Sequence, residues 1–239
     1  MSTSRGAALV TGGGQRIGAA IATALGREGF DIALHYRTSQ DAAVAVATKI
    51  KRMGRQCDIL RCDLNDDDDL ATLIERADRL MPGLNLLVNN ASVFEQAHLS
   101  ETDTDCFDMH FSVNLRAPFF LVRDFCRKGR TGHVINMLDT RITKSDGGHM
   151  AYTLSKKALF EFTKMAAKEL GPAIRVNGIS PGLILPPPGK GDDYLRDKSA
   201  RIPLKRVGDT KNLISAILFL IDNPFITGEC LFIDGGEHL

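Results

Sequence analysis

The chain has 239 residues, 44% hydrophobic and 25% charged, with a net charge of +1 at neutral pH. That balance supplies a globular core and excludes both the basic footprint of a nucleic-acid binder and the charge that an acidic membrane surface would recruit. Five cysteines (Cys57, Cys62, Cys106, Cys126 and Cys230) form no Cys-x-x-Cys pair, and their odd number reads as free thiols in a reduced, cytoplasmic compartment.

The amino terminus runs directly into a predicted strand over residues 7–11, leaving no room for a signal peptide. Thr11-Gly12-Gly13-Gly14-Gln15-Arg16-Ile17-Gly18 follows and opens a predicted helix over 16–28. Glycines between a strand and a helix allow a tight turn and close approach of backbone to a pyrophosphate, which the helix amides and dipole favour. A tight connection alone does not need three successive glycines. The second strand, 31–36, ends in His35-Tyr36-Arg37-Thr38-Ser39. An acidic residue there would bind a ribose 2′-hydroxyl and select NAD. Arg37, with the hydroxyls of Thr38 and Ser39, suits a 2′-phosphate instead, because a guanidinium binds phosphate through paired charged hydrogen bonds. The expected cofactor is NADPH/NADP.

A helix over 40–52, a strand over 56–61 and a helix over 67–79 come next. Asp63 can accept from an adenine amino group or remain a solvated surface group. The acidic run 66–69 follows Asn65 and reads as the charged start of a helix. It lacks the alternating ligands and glycine turn of a calcium loop, and no metal is expected. Further strands are predicted at 84–88, 133–137, 175–179 and 230–233. Alternation of strand and helix with short links predicts an α/β fold: a Rossmann-type doubly wound parallel sheet of about seven strands, helices on both faces. No repeat or linker divides residues 1–239, so one NADP-binding domain is expected. The longest apolar stretch, 214–221, is far short of the ~20 residues of a membrane span.

Asp139 precedes Tyr152 by thirteen positions (152 − 139), and Lys156 lies one helical turn beyond the tyrosine. Positions i and i+4 share a helix face, so Tyr152 and Lys156 can point into one site. A free phenol, with a pKa of about 10, is a poor acid–base group at neutral pH. A nearby ammonium favours the phenolate and draws that pKa toward the working range. Residues 183–206 contain Pro186, Pro187, Pro188, Gly189 and Gly191, which cannot continue a strand or helix. The segment follows a strand end, where open α/β sheets bind ligands, and is read as a substrate lid rather than a passive loop.

Together the Gly12–Gly18 turn, Asn89-Asn90-Ala91-Ser92, Asn114, Tyr152 with Lys156, and Pro181-Gly182 resemble the short-chain dehydrogenase/reductase family over essentially the whole chain. Two departures narrow the resemblance: the usual family has glycine at Arg16 and serine at Asp139. The pterin-reducing branch, of pteridine reductases and dihydromonapterin reductase, carries both replacements. It also carries the Asn-Asn-Ala-Ser-x-Phe pattern matched by 89–94, and its ending resembles 234–239 here.

The resemblance implies NADPH-dependent reduction of a dihydropterin, of the dihydrobiopterin, dihydromonapterin or dihydrofolate kind, by hydride transfer to a C=N bond. Tyr152 would relay the proton, Lys156 would lower its pKa and hold the nicotinamide ribose, and Asn114 would hold the lysine and a water chain. Gly12, Arg16, Ile17, Gly18, Tyr36, Arg37, Thr38, Ser39, Asp63, Leu64, Asn90, Ala91, Ser92, Pro181 and Gly182 would line the cofactor. Arg16, Ser92, Phe94 and Asp139 would meet the substrate with Tyr152. Bland alternatives are a core phenylalanine for Phe94 and a surface arginine for Arg16. His149, near Tyr152, could touch substrate but is read as a solvent-exposed loop histidine. Asp139 also tells against an ordinary ketone, since a carboxylate would repel a developing alkoxide. The rival functions are a general carbonyl (3-oxoacyl-type) reductase and a non-catalytic NADP-sensing protein. A homotetramer is the family expectation, with no nucleic-acid or membrane partner.

Overall fold

The computed structural model describes residues 4–127, 129–145, 147–187 and 189–239. Seven strands form one parallel sheet: β1 (Ala7–Val10), β2 (Asp31–Tyr36), β3 (Cys57–Arg61), β4 (Leu84–Asn89), β5 (Gly132–Met137), β6 (Ile174–Pro181) and β7 (Cys230–Ile233). Their order across the sheet is β3-β2-β1-β4-β5-β6-β7. The chain winds outward from β1 in one direction to β3, returns to β4 beside β1, and then winds the other way. This reversal opens a crevice above the carboxyl ends of β1 and β4, where doubly wound sheets bind ligands.

Strand alternation divides the core between the two faces. Ala8, Val10, Ile32 and Leu34 point to the layer of α1 (Arg16–Arg27), α2 (Gln40–Arg52) and α8 (Thr210–Asp222), packing with Ile21, Leu25, Ile50 and Leu213. Ala7, Leu9, Leu87 and Val134 point to the opposite layer of α3 (Asp67–Leu80), α5 (Ala117–Cys126) and α6 (Met150–Leu170), meeting Leu73, Leu121, Phe125 and Ala167. Two shorter helices, α4 (Thr104–Phe111) and α7 (Asp192–Ser199), complete the set.

Helix starts follow their local chemistry. The Asp66 side chain accepts from the Asp69 amide, and Asp67, Asp68 and Asp69 complete an acidic first turn of α3. Asp209 opens α8 with a reciprocal capping box to Asn212. The fold differs from expectation in the lid region. Residues 183–206 are not all irregular: beyond the prolines the chain forms α7, and Ile184, Leu195 and Ile202 are buried against the body. Proline blocks helix only where it stands, so the charged run past Gly191 is free to coil. Pro188 lies outside the described residues.

Candidate active site

A cleft of about 560 Å³ runs over the crevice, from the end of β2 to the start of α6. At its floor, Gly12 adopts φ +61, and a Cβ there would press on Ala91 Cα at 3.1 Å. Gly18 is more constrained: a Cβ would sit 2.1 Å from the Gly12 carbonyl oxygen. The Thr11 hydroxyl accepts from the amides of Asn90 and Ala91 at 2.9 and 3.0 Å, and the Asn90 side chain donates to the Thr11 and Gly12 carbonyls. Asn90 and Ala91 thus line the cleft and brace the glycine turn at once.

His35, a residue the motifs do not single out, completes that brace. Its Nδ1 accepts from the Gly12 amide at 2.9 Å, and Nε2 lies 3.0 Å from the Cys62 carbonyl. These partners require a neutral ring with its proton on Nε2. Burial agrees, lowering the pKa from 6.5 to about 4. Its one signal in the sequence is a histidine inside a mostly apolar, buried strand, because a buried imidazole must find partners.

Ile17, Gly18, Tyr36, Arg37, Thr38, Ser39, Asp63 and Leu64 all border the cofactor end of the cleft. Arg37 and Thr38 are exposed, and Ser39 stands at the start of α2 without using its hydroxyl as a cap. The Asp63 side chain accepts from the Asn65 amide at 3.0 Å while bordering the cleft. These groups fit a dinucleotide with a 2′-phosphate: a backbone cradle that any Cβ would fill, and an exposed guanidinium beside two hydroxyls.

Arg16 is no ordinary surface arginine. It holds φ +52, a conformation that costs a residue with a Cβ roughly 1–2 kcal/mol. Glycine is the easy solution at such a position, so the arginine is held against its backbone preference. Its guanidinium reaches across the cleft to donate to the Pro186 carbonyl at 2.6 Å.

At the other end the Tyr152 hydroxyl donates to Asp139 Oδ2 at 2.7 Å, while Oδ1 accepts from the Arg141 amide at 2.8 Å. Burial first, and the Asp139 carboxylate second, push the Tyr152 pKa well above 10. This corrects the expectation that Lys156 draws the phenol toward phenolate. Lys156 is buried, donates to the Met137 carbonyl at 2.8 Å and lies 6.0 Å from the Tyr152 ring centre. Burial lowers its own pKa to about 8, against the pull of Asp139. Tyr152 therefore rests as a phenol with a proton to give.

Asn114 sits beneath the cleft on a π-helical turn, Ser112–Arg116, a distortion that often marks functional positions. Its Oδ1 accepts from the Val93 amide and the Ser92 hydroxyl at 2.9 and 3.1 Å. Its Nδ2 donates to the Val93 carbonyl and to Ser155 Oγ, both at 3.1 Å. Asn114 thereby joins the segment after β4 to α6.

Phe94 is 42% exposed, which removes the reading of a core residue. Its ring meets Tyr152 edge-on at 4.7 Å and stacks on His149 at 4.4 Å. His149 is half-buried at the start of α6, so the expectation of an exposed loop histidine fails too. Pro181 and Gly182 do not border the cleft. They end β6 against β7, where a Cβ on Gly182 would lie 2.6 Å from Asp234 Cα, so this glycine serves close packing.

Burial pushes the Cys57 and Cys62 thiols up to about 12 and Cys230 to about 11, which leaves them poor nucleophiles. Among the described residues no cluster of three or more His, Cys, Asp or Glu could hold a metal ion, and no helix is long and apolar enough to cross a membrane.

The family profile described as enoyl-(acyl carrier protein) reductase matches residues 12–238. A versicolorin reductase of Emericella nidulans is 32% identical over 96% of this chain and 94% of its own. Pteridine reductase 1 of Leishmania tarentolae is 31% identical over 97% and 96%. Among solved structures, FolM alternative dihydrofolate reductase 1 from Brucella suis, in complex with NADP, superposes with a TM-score of 0.92. It is 34% identical, over 98% of this chain and 95% of that one. The chain belongs to the short-chain dehydrogenase/reductase family and is an NADPH-dependent oxidoreductase.

Proposed function

We propose that the protein reduces a dihydropterin to its tetrahydro form. The observation that carries this reading is the Tyr152–Asp139 pair at 2.7 Å, beside the exposed ring of Phe94. When bound, NADPH supplies the hydride that adds to the carbon of the C=N bond. Tyr152 gives its hydroxyl proton to the adjacent nitrogen, so the C=N gains one hydride and one proton. Asp139, already hydrogen-bonded to that hydroxyl, orients the phenol and serves in its reprotonation from solvent. Lys156 offers a buried cation close by, and Asn114 fixes the segment bearing Ser92 and Phe94. Phe94 supplies a flat apolar face, a suitable partner for a planar heterocycle.

Arg37, Thr38 and Ser39 would hold the 2′-phosphate, and the Gly12–Gly18 turn with the start of α1 would hold the pyrophosphate. Residues 183–206 serve as the substrate lid in this reading, supported by the Arg16–Pro186 bond and by Leu185 and Pro187 at the cleft. A general carbonyl (3-oxoacyl-type) reductase is the second reading, favoured by the similarity to a 3-oxoacyl-[acyl-carrier-protein] reductase of Staphylococcus epidermidis, 29% identical over 97% of this chain. A homotetramer is also proposed, supported by exposed Phe119 and Met165 on one side and Phe219 and Phe225 on another.

Replacing Asp139 by Ser tests the choice. Dihydropterin turnover should fall about 100-fold, within the usual range for one acid–base group. An unchanged rate would remove the main support for pterin chemistry.

A further inference from the structure

If Phe94 is the platform under the substrate, something must fix its distance from the proton donor. The ring is largely open, but the peptides on both sides of it are tied down. On the Val93 side, Asn114 engages both backbone groups. On the other side, the Glu95 amide donates to His110 Nε2 at 3.1 Å. The Glu95 carbonyl accepts from His149 Nδ1 at 3.3 Å, and the same imidazole stacks on Phe94 with an interplanar angle of 16°. Beyond it, the Ala97 amide donates to the Gly148 carbonyl at 3.1 Å.

His110 is 1% exposed, on α4, four residues before Asn114. Its Nδ1 lies 2.8 Å from the Cys106 carbonyl and can only donate to it. A neutral ring then presents Nε2 as an acceptor, aimed at the Glu95 amide. The ring edge also meets Tyr152, with centres 6.1 Å apart. His149 lies three residues before Tyr152 on the chain, so both histidines link the Phe94 peptide to the tyrosine.

We infer that His110 is a positioning residue: accepting from Glu95, with His149 closing the other side of that peptide, it fixes Phe94 relative to Tyr152. Phe94's role as platform rests on the dihydropterin reading; the clamp itself does not. His110→Leu removes the acceptor and keeps bulk, while His110→Gln can return an acceptor oxygen near the Nε2 position.

The experiment measures amide exchange over residues 92–98, the NADPH dissociation constant, and kcat and KM for dihydrobiopterin. In His110→Leu, exchange at Glu95 should rise about tenfold and KM should rise several-fold, with kcat and NADPH affinity within about twofold. His110→Gln should recover most of both losses. Unchanged exchange in His110→Leu overturns the inference. So does equal damage in both variants with NADPH affinity falling in parallel, because His110 would then be a general structural residue.

Should His110→Leu fail to fold, His149→Ala removes the carbonyl contact and the stack, and should raise both exchange and KM. Unchanged values in that variant overturn the clamp. A wild-type enzyme inert on dihydropterins, with the exchange contrast intact, would sustain the clamp and overturn the substrate reading alone.

Discussion

The two ends of the cleft are held in different ways. At the cofactor end, His35 and Asn90 bind the backbone of the glycine turn directly, the Thr11 hydroxyl accepts from the Asn90 and Ala91 amides, and all three residues stand on or just beyond neighbouring strands of the sheet. At the substrate end, Phe94, His110, Asn114, His149 and Pro186 come from loops and helices brought together only by the folded chain. The cofactor end is a rigid cradle whose shape the sheet dictates. The substrate end depends on side chains holding loops, which is where a family can change what it reduces while keeping its cofactor.

The variant that separates the two ends most sharply is Tyr152→Phe. It removes the donated proton and leaves the cradle untouched, so kcat should drop about 1,000-fold with NADPH affinity within about twofold. A parallel loss of NADPH binding, read by fluorescence titration, would blur the division. Arg37→Ala acts at the opposite end. Loss of charge-assisted bonds to the 2′-phosphate should weaken NADPH binding about tenfold or more, with little change for NADH. Equal effects on both dinucleotides would mean Arg37 does not read the phosphate.

Acid should weaken the fold through two buried histidines, His35 in the cradle and His133 on β5. His35 and His133 have folded pKa values lowered to about 4 and about 3, both first by burial and the latter also by Arg175. A depressed folded pKa contributes stability that is fully present above the unfolded value of about 6.5 and lost as pH falls through the folded value. Urea unfolding should therefore show stability declining from about pH 6.5 toward 4. A flat profile over that window would contradict the neutral His35 brace.

The smallest effect joins the two ends. Arg16→Gly relieves the positive φ and should stabilise the ligand-free protein by about 1 kcal/mol while removing the tie to Pro186. Activity should fall even as the melting temperature rises. Destabilisation instead would mean that the Pro186 bond outweighs the backbone strain.

Legibility in the sequence follows the same division. The strands, the order of helices and the glycine turn were readable because each is a local pattern of alternation, period or turn chemistry. Arg37, Thr38 and Ser39 were placed by their position at one strand end. Tyr152 and Lys156 were paired by helix spacing, but the direction of the tyrosine's pKa was not readable. It depends on Asp139 and on burial, and the lysine is turned to the Met137 carbonyl. His110 carried one usable signal, its place four residues before Asn114. His149 carried only its nearness to Tyr152; its stack on Phe94, fifty-five positions away (149 − 94), could be read only from the fold. The Arg16–Pro186 bond is a long-range meeting of a helix start with a loop and could be read only from the fold.

The central claim is that Asp139 beside Tyr152 marks pterin chemistry, and the most direct measurement is wild-type NADPH oxidation at the nicotinamide absorbance. Dihydrobiopterin, dihydromonapterin, dihydrofolate and an acetoacetyl thioester would be assayed in parallel. Turnover of the dihydropterins with the thioester inert is the predicted result. Turnover of the thioester alone would contradict it and make the protein a general carbonyl reductase.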